Sequence, residues 1–241
     1  MIFLEKLSAR AADNKNCPTA SIAFLGDSVT QGCFEIFSNS SNEIIDVFDQ
    51  GSSYETYFSK IFAALYPNTP LTVINAGISG NTAVDGLKRL HRDIISKKPD
   101  LAIVCFALND STQGLEGINT YSQALNSIFS ELKNNGIEII FMTPNMMTTK
   151  TSEQLPNGII KEAAEKCCHT QNSGILDSYI ETAKNICQLQ NIPVCDCYAL
   201  WKQMYQHGID INTLLANKIN HPNREMNWLF AIELTRTIFS L

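Results

Sequence analysis

Five short apolar runs punctuate this chain, and the stretches between them are patterned as amphipathic helices. The runs are Ser21-Ile-Ala-Phe-Leu25, Leu71-Thr-Val-Ile74, Leu101-Ala-Ile-Val-Cys-Phe106, residues 137–142 and Ile192-Pro-Val-Cys195. Their continuously apolar character predicts strands covered on both faces, because a half-exposed strand alternates apolar with polar residues. Tyr54, Tyr57, Phe58, Ile61, Phe62 and Leu65 fall on one helical stripe, which Pro67 and Pro70 end. Ser52-Ser-Tyr-Glu55 reads as the capping box that opens it. Val84, Leu87, Leu90 and Ile94 mark a helix over 82–96, stopped before Pro99. Another opens at Thr120, keeps Tyr121, Ala124, Leu125, Ile128, Phe129 and Leu132 on one face, and has Gly136 past its end. After a polar loop over 144–158, helical segments run to about residue 190, and a last helix follows His221-Pro222-Asn223. Strands alternating with helices in this way build an α/β fold, a parallel sheet with helices on both faces. With no repeat, linker or charge block, one domain is expected over 1–241, its core beginning near residue 20 and residues 1–19 forming an N-terminal extension.

Charge and composition narrow the classes of partner. The formal net charge of −6 is spread along the chain without a basic run, which argues against nucleic acid or an anionic membrane. Residues 1–10 carry Glu5 and lead into no long apolar stretch, so no signal peptide is read. No run approaches the roughly 20 apolar residues that span a bilayer. A cytoplasmic protein is therefore expected, taking residue 1 as the native start. The eight cysteines are Cys17, Cys33, Cys105, Cys167, Cys168, Cys187, Cys195 and Cys197, with no C-x-x-C pair among them. In a reducing compartment they read as small, mostly buried hydrophobes, and their spacing supports no zinc site.

In an open α/β sheet, ligands bind beyond the carboxyl ends of the strands where the strand order reverses. The residues there are Gly26-Asp27-Ser28-Val29-Thr30, Asn75-Ala-Gly77-Ile-Ser79-Gly80-Asn81, Ala107-Leu-Asn109-Asp110 and, before the last helix, Asn220-His221-Pro222-Asn223. They offer a hydroxyl at a strand-to-helix turn (Ser28), a loop N–H free of side-chain obstruction (Gly80), an amide (Asn109) and a base of suitable pKa (His221). Nucleophile, base and fixed donors at a developing oxyanion are what acyl transfer requires.

These segments resemble the conserved blocks of the SGNH (GDSL-like) hydrolases, in family order and near family spacing from about residue 21 to the C-terminus. Gly26-Asp27-Ser28 with Gly32 resembles the first block, with Val29 where leucine is usual. Asn75 to Gly80 resembles the second, Leu108-Asn109-Asp110 the third, and His221-Pro222-Asn223 the last. The resemblance implies a three-layer, flavodoxin-like sandwich whose five-stranded parallel sheet has the order 2-1-3-4-5. It implies that Ser28 attacks an ester carbonyl, that His221 is its base, and that the Ser28 and Gly80 N–H groups and the Asn109 amide bind the oxyanion. The α/β-hydrolase signature G-x-S-x-G is absent, the nearest match ending in Asn81.

Two positions depart from the family pattern. Ala107 stands where the third block has glycine, a mild change by its size. Lys218 stands where the family has the triad aspartate, three residues before the histidine. An imidazole needs a group to fix its tautomer, and three are open: a backbone carbonyl, the Asn217 side-chain oxygen, or a carboxylate from elsewhere, with Asp196 the first to inspect. The expectation is a Ser28–His221 dyad oriented by a carbonyl oxygen of the His221 loop.

Each residue also has a plain structural reading. Ser28 can cap a helix, Asp27 and Asp110 can hold nearby backbone, Gly77 and Gly80 can satisfy loop geometry, and His221 can be a loop residue before a helix. His91, His169 and His207 fall in helical patterns, and nothing marks Cys33 as an activated thiolate. Segments 35–50 and 144–158 should flank the crevice as lids, walls or surface insertions, with Met146 and Met147 lining an acyl pocket or packing. The expected activity is hydrolysis of a small carboxylic ester, with acetyl groups on a sugar the first class to test, without metal or cofactor. An acyltransferase using the same site and a non-catalytic binding domain on this scaffold remain the alternatives.

Overall fold

The computed structural model describes residues 1–41 and 43–241. In chain order these form α1 (Ile2–Ala12), β1 (Ser21–Gly26), α2 (Ser28–Gln31), β2 (Cys33–Ser38), β3 (Ile44–Phe48), α3 (Tyr54–Leu65), β4 (Thr72–Gly77), α4 (Ala83–Asp93) and β5 (Leu101–Cys105). There follow α5 (Leu108–Ser111), α6 (Ile118–Asn134), β6 (Glu138–Met142), α7 (Ile159–Asn172), α8 (Ile175–Gln190), β7 (Val194–Cys195), α9 (Cys197–Gln206) and α10 (Arg224–Phe239).

The main sheet has the order β4-β1-β5-β6-β7 and is parallel throughout. Counted within that sheet alone this is 2-1-3-4-5, the order expected. The apolar runs explain the centre: Ile22 to Leu25 of β1 and Leu101 to Val104 of β5 are fully buried. Helices α3 and α10 pack on each other as one layer, and α4, α6 and α8 form a second. Phe24 of β1 meets Tyr54 and Phe58 of α3 edge-on at 5.6 and 5.8 Å, and Tyr54 meets Phe230 of α10 at 6.0 Å. Each such fully buried side chain contributes roughly 1.5–3 kcal/mol of transfer free energy.

Two local expectations are corrected. The stripe from Tyr54 to Leu65 is a helix, but Ser52-x-x-Glu55 is no capping box: Ser53 precedes the helix without a side-chain cap bond, and the Glu55 carboxylate accepts from Asn75 at 2.8 Å instead. The capping box lies at Thr82 and Asp85, where α4 begins. Residues 1–19 are more than an extension. α1 inserts Phe3 and Leu7 into the core, and its free Ile2 and Phe3 N–H groups donate to the Glu138 carboxylate at 2.8 and 2.9 Å. The segment 35–50 is largely an antiparallel hairpin of β2 and β3, whose register shifts between Cys33 and Ile36. That bulge interrupts the period-two pattern by which a hairpin is read from sequence.

The strand order reverses at β1, which has β4 on one side and β5 on the other. The carboxyl ends of these three strands form the floor of a crevice, with the hairpin and α7 as its walls. Among the described residues no helix is long and apolar enough to cross a membrane.

Candidate active site

Ser28 opens α2, and the cap of that helix is Asp27, whose carboxylate accepts from the Val29 N–H at 3.0 Å. Ser28 is therefore free of the capping role. Its Oγ lies 2.9 Å from Nε2 of His221, although 193 positions separate them in sequence. Both side chains are almost wholly buried. Gly77, the last residue of β4, lets that strand end approach α2 closely: a Cβ there would lie 2.2 Å from the Gln31 nitrogen. The second strand-end loop can thus pass directly against the serine helix.

Nδ1 of His221 lies 3.1 Å from the backbone carbonyl oxygen of Phe34, in β2. A carbonyl only accepts, so Nδ1 carries the proton and Nε2 presents its lone pair to the Ser28 hydroxyl. The expected orienting carbonyl is present, but the hairpin supplies it rather than the loop of His221. Asn217 is corrected in the same way: it does not bond the ring. Its Oδ1 accepts from the backbone N–H groups of Ile219, Asn220 and His221 at 3.0, 2.9 and 3.0 Å, which shapes the loop. Lys218 takes the left-handed bend of that loop, with φ of 62°. From below, the Asn145 amide donates to the Asn220 carbonyl and the Thr148 N–H to the Ile219 carbonyl, each at 2.7 Å.

No carboxylate bonds the His221 ring among the described residues. Asp196 caps α9 at the Ala199 N–H and pairs with Lys184 at 2.8 Å. Burial holds the His221 imidazole below its ordinary value of 6.5, opposed by the Phe34 carbonyl and then by the charges of Asp46 and Glu35.

Gly80 has φ of +76°, and an added Cβ would meet nothing within 4 Å. Glycine is thus required there by backbone conformation, not by crowding as expected. Gly80 and Asn109 line the same crevice as Ser28 and His221. One N–H of the Asn109 amide donates to the Asn81 carbonyl at 2.9 Å. Asn81 is fixed in turn by Arg89, a buried guanidinium of α4 that sequence reasoning passed over. Its Nε donates to the Asn81 side chain at 2.8 Å, and its Nη atoms donate to the carbonyls of Ala76 and Gly26 at 2.6 and 2.9 Å. The available signal was a charge beside Leu90 on the apolar face of the helix. Phe34 had no comparable signal, because a backbone carbonyl carries no sequence signature.

Asp110 holds the Ala83 N–H at 2.9 Å, while its second oxygen is buried without a partner. Burial pushes Asp110 and Asp27 each up to about 7. The crevice encloses about 450 Å³. Ile36, Ile44 and Asp46 of the hairpin face Ala163, Lys166 and Cys167 of α7 across it. Met146 and Met147 are buried in the core and do not line it. Among the described residues no cluster of histidine, cysteine or carboxylate side chains has the makings of a metal site.

Comparison with known proteins agrees with this architecture. The curated acetylxylan esterase of Geobacillus stearothermophilus is 30% identical over 132 residues, and the arylesterase of Vibrio mimicus is 28% identical over 117. Those alignments take in 51% and 46% of this chain and 58% of each relative's length, so the chain spans under two thirds of either. The solved Geobacillus enzyme superimposes with a TM-score of 0.67 at 24% identity, over 91% of this chain and 94% of that one. The acetyl xylan esterase AlAXEase gives 0.68 at 18% identity, over 90% and 99%. Residues 24–229 match the family described as GDSL-like Lipase/Acylhydrolase, a span that takes in Ser28, Gly80, Asn109 and His221 together, and the chain belongs to that family.

Proposed function

We propose that this protein is a serine-dependent carboxylic-ester hydrolase acting through an acyl-enzyme. The observation that carries the reading is the Ser28–His221 bond of 2.9 Å with the imidazole held in the accepting tautomer. Ser28 Oγ attacks the ester carbonyl as its proton passes to His221 Nε2. The oxyanion is received by the Ser28 and Gly80 N–H groups and the second N–H of the Asn109 amide. As the tetrahedral intermediate collapses, the carbon–oxygen bond to the alcohol breaks, and Nε2–H protonates the departing alkoxide. Water then repeats the sequence at the acyl-enzyme and releases the acid. No step requires a metal or cofactor.

A small acyl group, such as acetyl on a carbohydrate, is the substrate class we favour. The likeness to two acetylxylan esterases supports it, as does a crevice combining apolar walls (Ile36, Ile44, Ile219) with polar groups (Asp46, Thr112, Lys166). Eight free cysteines suit a cytoplasmic setting.

The test is labelling with a fluorophosphonate alongside p-nitrophenyl acetate turnover. Active protein gives a burst of nitrophenol and a covalent label, both lost in Ser28→Ala. Absence of label on the folded wild type would replace this reading with that of a binding domain.

A further inference from the structure

The acceptor that orients His221 lies 187 positions away in a two-stranded hairpin that is separate from the main sheet. Phe37 and Ile45 of that hairpin are half exposed, so the main core does not clamp its outer part. A carbonyl on such a ribbon can hold an imidazole only if the ribbon is fixed to the segment bearing the histidine.

Arg224 makes that connection. It begins α10, three positions after His221. Its guanidinium lies over the Phe34 ring, 4.4 Å from the centroid. It forks onto the Glu35 carboxylate at 2.7 and 3.3 Å, and its Nε donates to Asp49 at 2.8 Å. Glu35 follows the residue whose carbonyl holds the ring. Asp49 follows β3, and its own N–H closes the base of the hairpin on the Gly32 carbonyl at 2.9 Å. One side chain therefore ties both legs of the hairpin to the first turn of the helix after His221.

A plain surface ion pair explains this arrangement poorly. The first turn of a helix favours negative charge, so a cation at that position works against the helix dipole. Half-exposed ion pairs also contribute little stability, whereas a bidentate fork with ring stacking fixes geometry. Resting on the hydrolase reading above, we infer that Arg224 is a positioning residue: by clamping Phe34 it sets the tautomer and direction of His221, the task left vacant by Lys218. Ser28 bonds His221, Asp46 and Lys166 line the same crevice, and Glu35 and Asp49 pair with Arg224.

The experiment compares wild type, Arg224→Met, Arg224→Lys and, as a control for loss of a half-exposed ion pair elsewhere, Lys202→Met. Turnover of p-nitrophenyl acetate, fluorophosphonate labelling rate and the proton resonance of the His221 Nδ1–H are measured on each. Both Arg224 variants should lose about tenfold or more in kcat with KM within about twofold, because the loss falls on the transition state. Their Nδ1–H resonance should broaden or vanish, and lysine should not rescue, since it can neither fork nor stack. Lys202→Met should match wild type. Should Arg224→Met fail to fold, Glu35→Gln and Asp49→Asn each remove one limb and should each lower kcat and weaken that resonance. Wild-type labelling with kcat and the Nδ1–H signal unchanged in the Arg224 variants overturns the inference alone. An unlabelled wild type overturns the hydrolase reading and this inference with it.

Discussion

The carbonyl of Asn81 accepts one N–H of the Asn109 amide at 2.9 Å, which leaves the other N–H for the crevice that Asn109 lines. Arg89 holds Asn81 from behind, so the donor is aimed before any substrate arrives. Removing such a fixed donor typically costs about 10²–10³ in turnover. Asn109→Ala should therefore lower kcat for p-nitrophenyl acetate by that factor with little change in KM. A loss under about fivefold would remove Asn109 from the oxyanion site.

The buried imidazole of His221 is held below 6.5, chiefly by desolvation of its cation. In the proposed mechanism it acts as a base, which it can do only when neutral. The acid limb of kcat/KM should thus have its midpoint below 6.5, with activity still near its plateau at neutral pH. Asp46 and Glu35 oppose the shift, so Asp46→Asn should move the midpoint lower still. A midpoint above 6.5 in a pH–rate profile would contradict the desolvated site.

Asp110 is raised from 3.8 to about 7 by burial, with one carboxylate oxygen unpartnered. Between those two values the folded protein holds a proton that the unfolded chain has released. Stability contributed by this group is therefore greatest at acid pH and declines as pH rises through the window from 3.8 to about 7. Asp110→Asn mimics the protonated side chain and does not titrate. Urea unfolding at pH 5 and pH 8 should show the variant gaining on wild type at the higher pH. A difference independent of pH would mean that Asp110 is ionised throughout.

Restoring an aspartate at position 218 should bring no large gain. Lys218 occupies left-handed backbone with φ of 62°, which aspartate tolerates, but Nδ1 of His221 already has the Phe34 carbonyl at 3.1 Å. Lys218→Asp should leave kcat/KM within about threefold of wild type, because the tautomer is set elsewhere. A tenfold rise would show that the carbonyl is a poor substitute for a charge.

Much of this arrangement is legible from the chain alone because burial leaves a pattern. The apolar runs of β1 and β5 identify the sheet centre, and the segments after β1, β4 and β5 hold Ser28, Gly80 and Asn109 in turn. The pairing of Ser28 with His221 follows from topology, which brings separate strand ends to one edge. What sequence reasoning misses is carried by groups without side-chain signatures or by side chains with two uses. The Phe34 carbonyl belongs to the first kind. Glu55 belongs to the second: its spacing from Ser52 fits a cap, yet burial beside Asn75 offers it a different partner. Ala107 shows a third limit, since its size change is small but its backbone adopts φ of 155°, a conformation that favours glycine.

The hairpin that steadies the imidazole is made from the first fifth of the chain, while the imidazole itself lies in the last tenth. On the proposed mechanism a nascent polypeptide therefore carries the Ser28 hydroxyl long before it acquires the His221 imidazole that would activate it. The same holds for a product clipped anywhere between β3 and His221: one fragment keeps the Ser28 hydroxyl and the other the His221 imidazole, never both. On the proposed mechanism, turnover in such a molecule would report that the chain has been made through His221 and has folded, and mixing two separately made halves should regenerate it only if they reassociate.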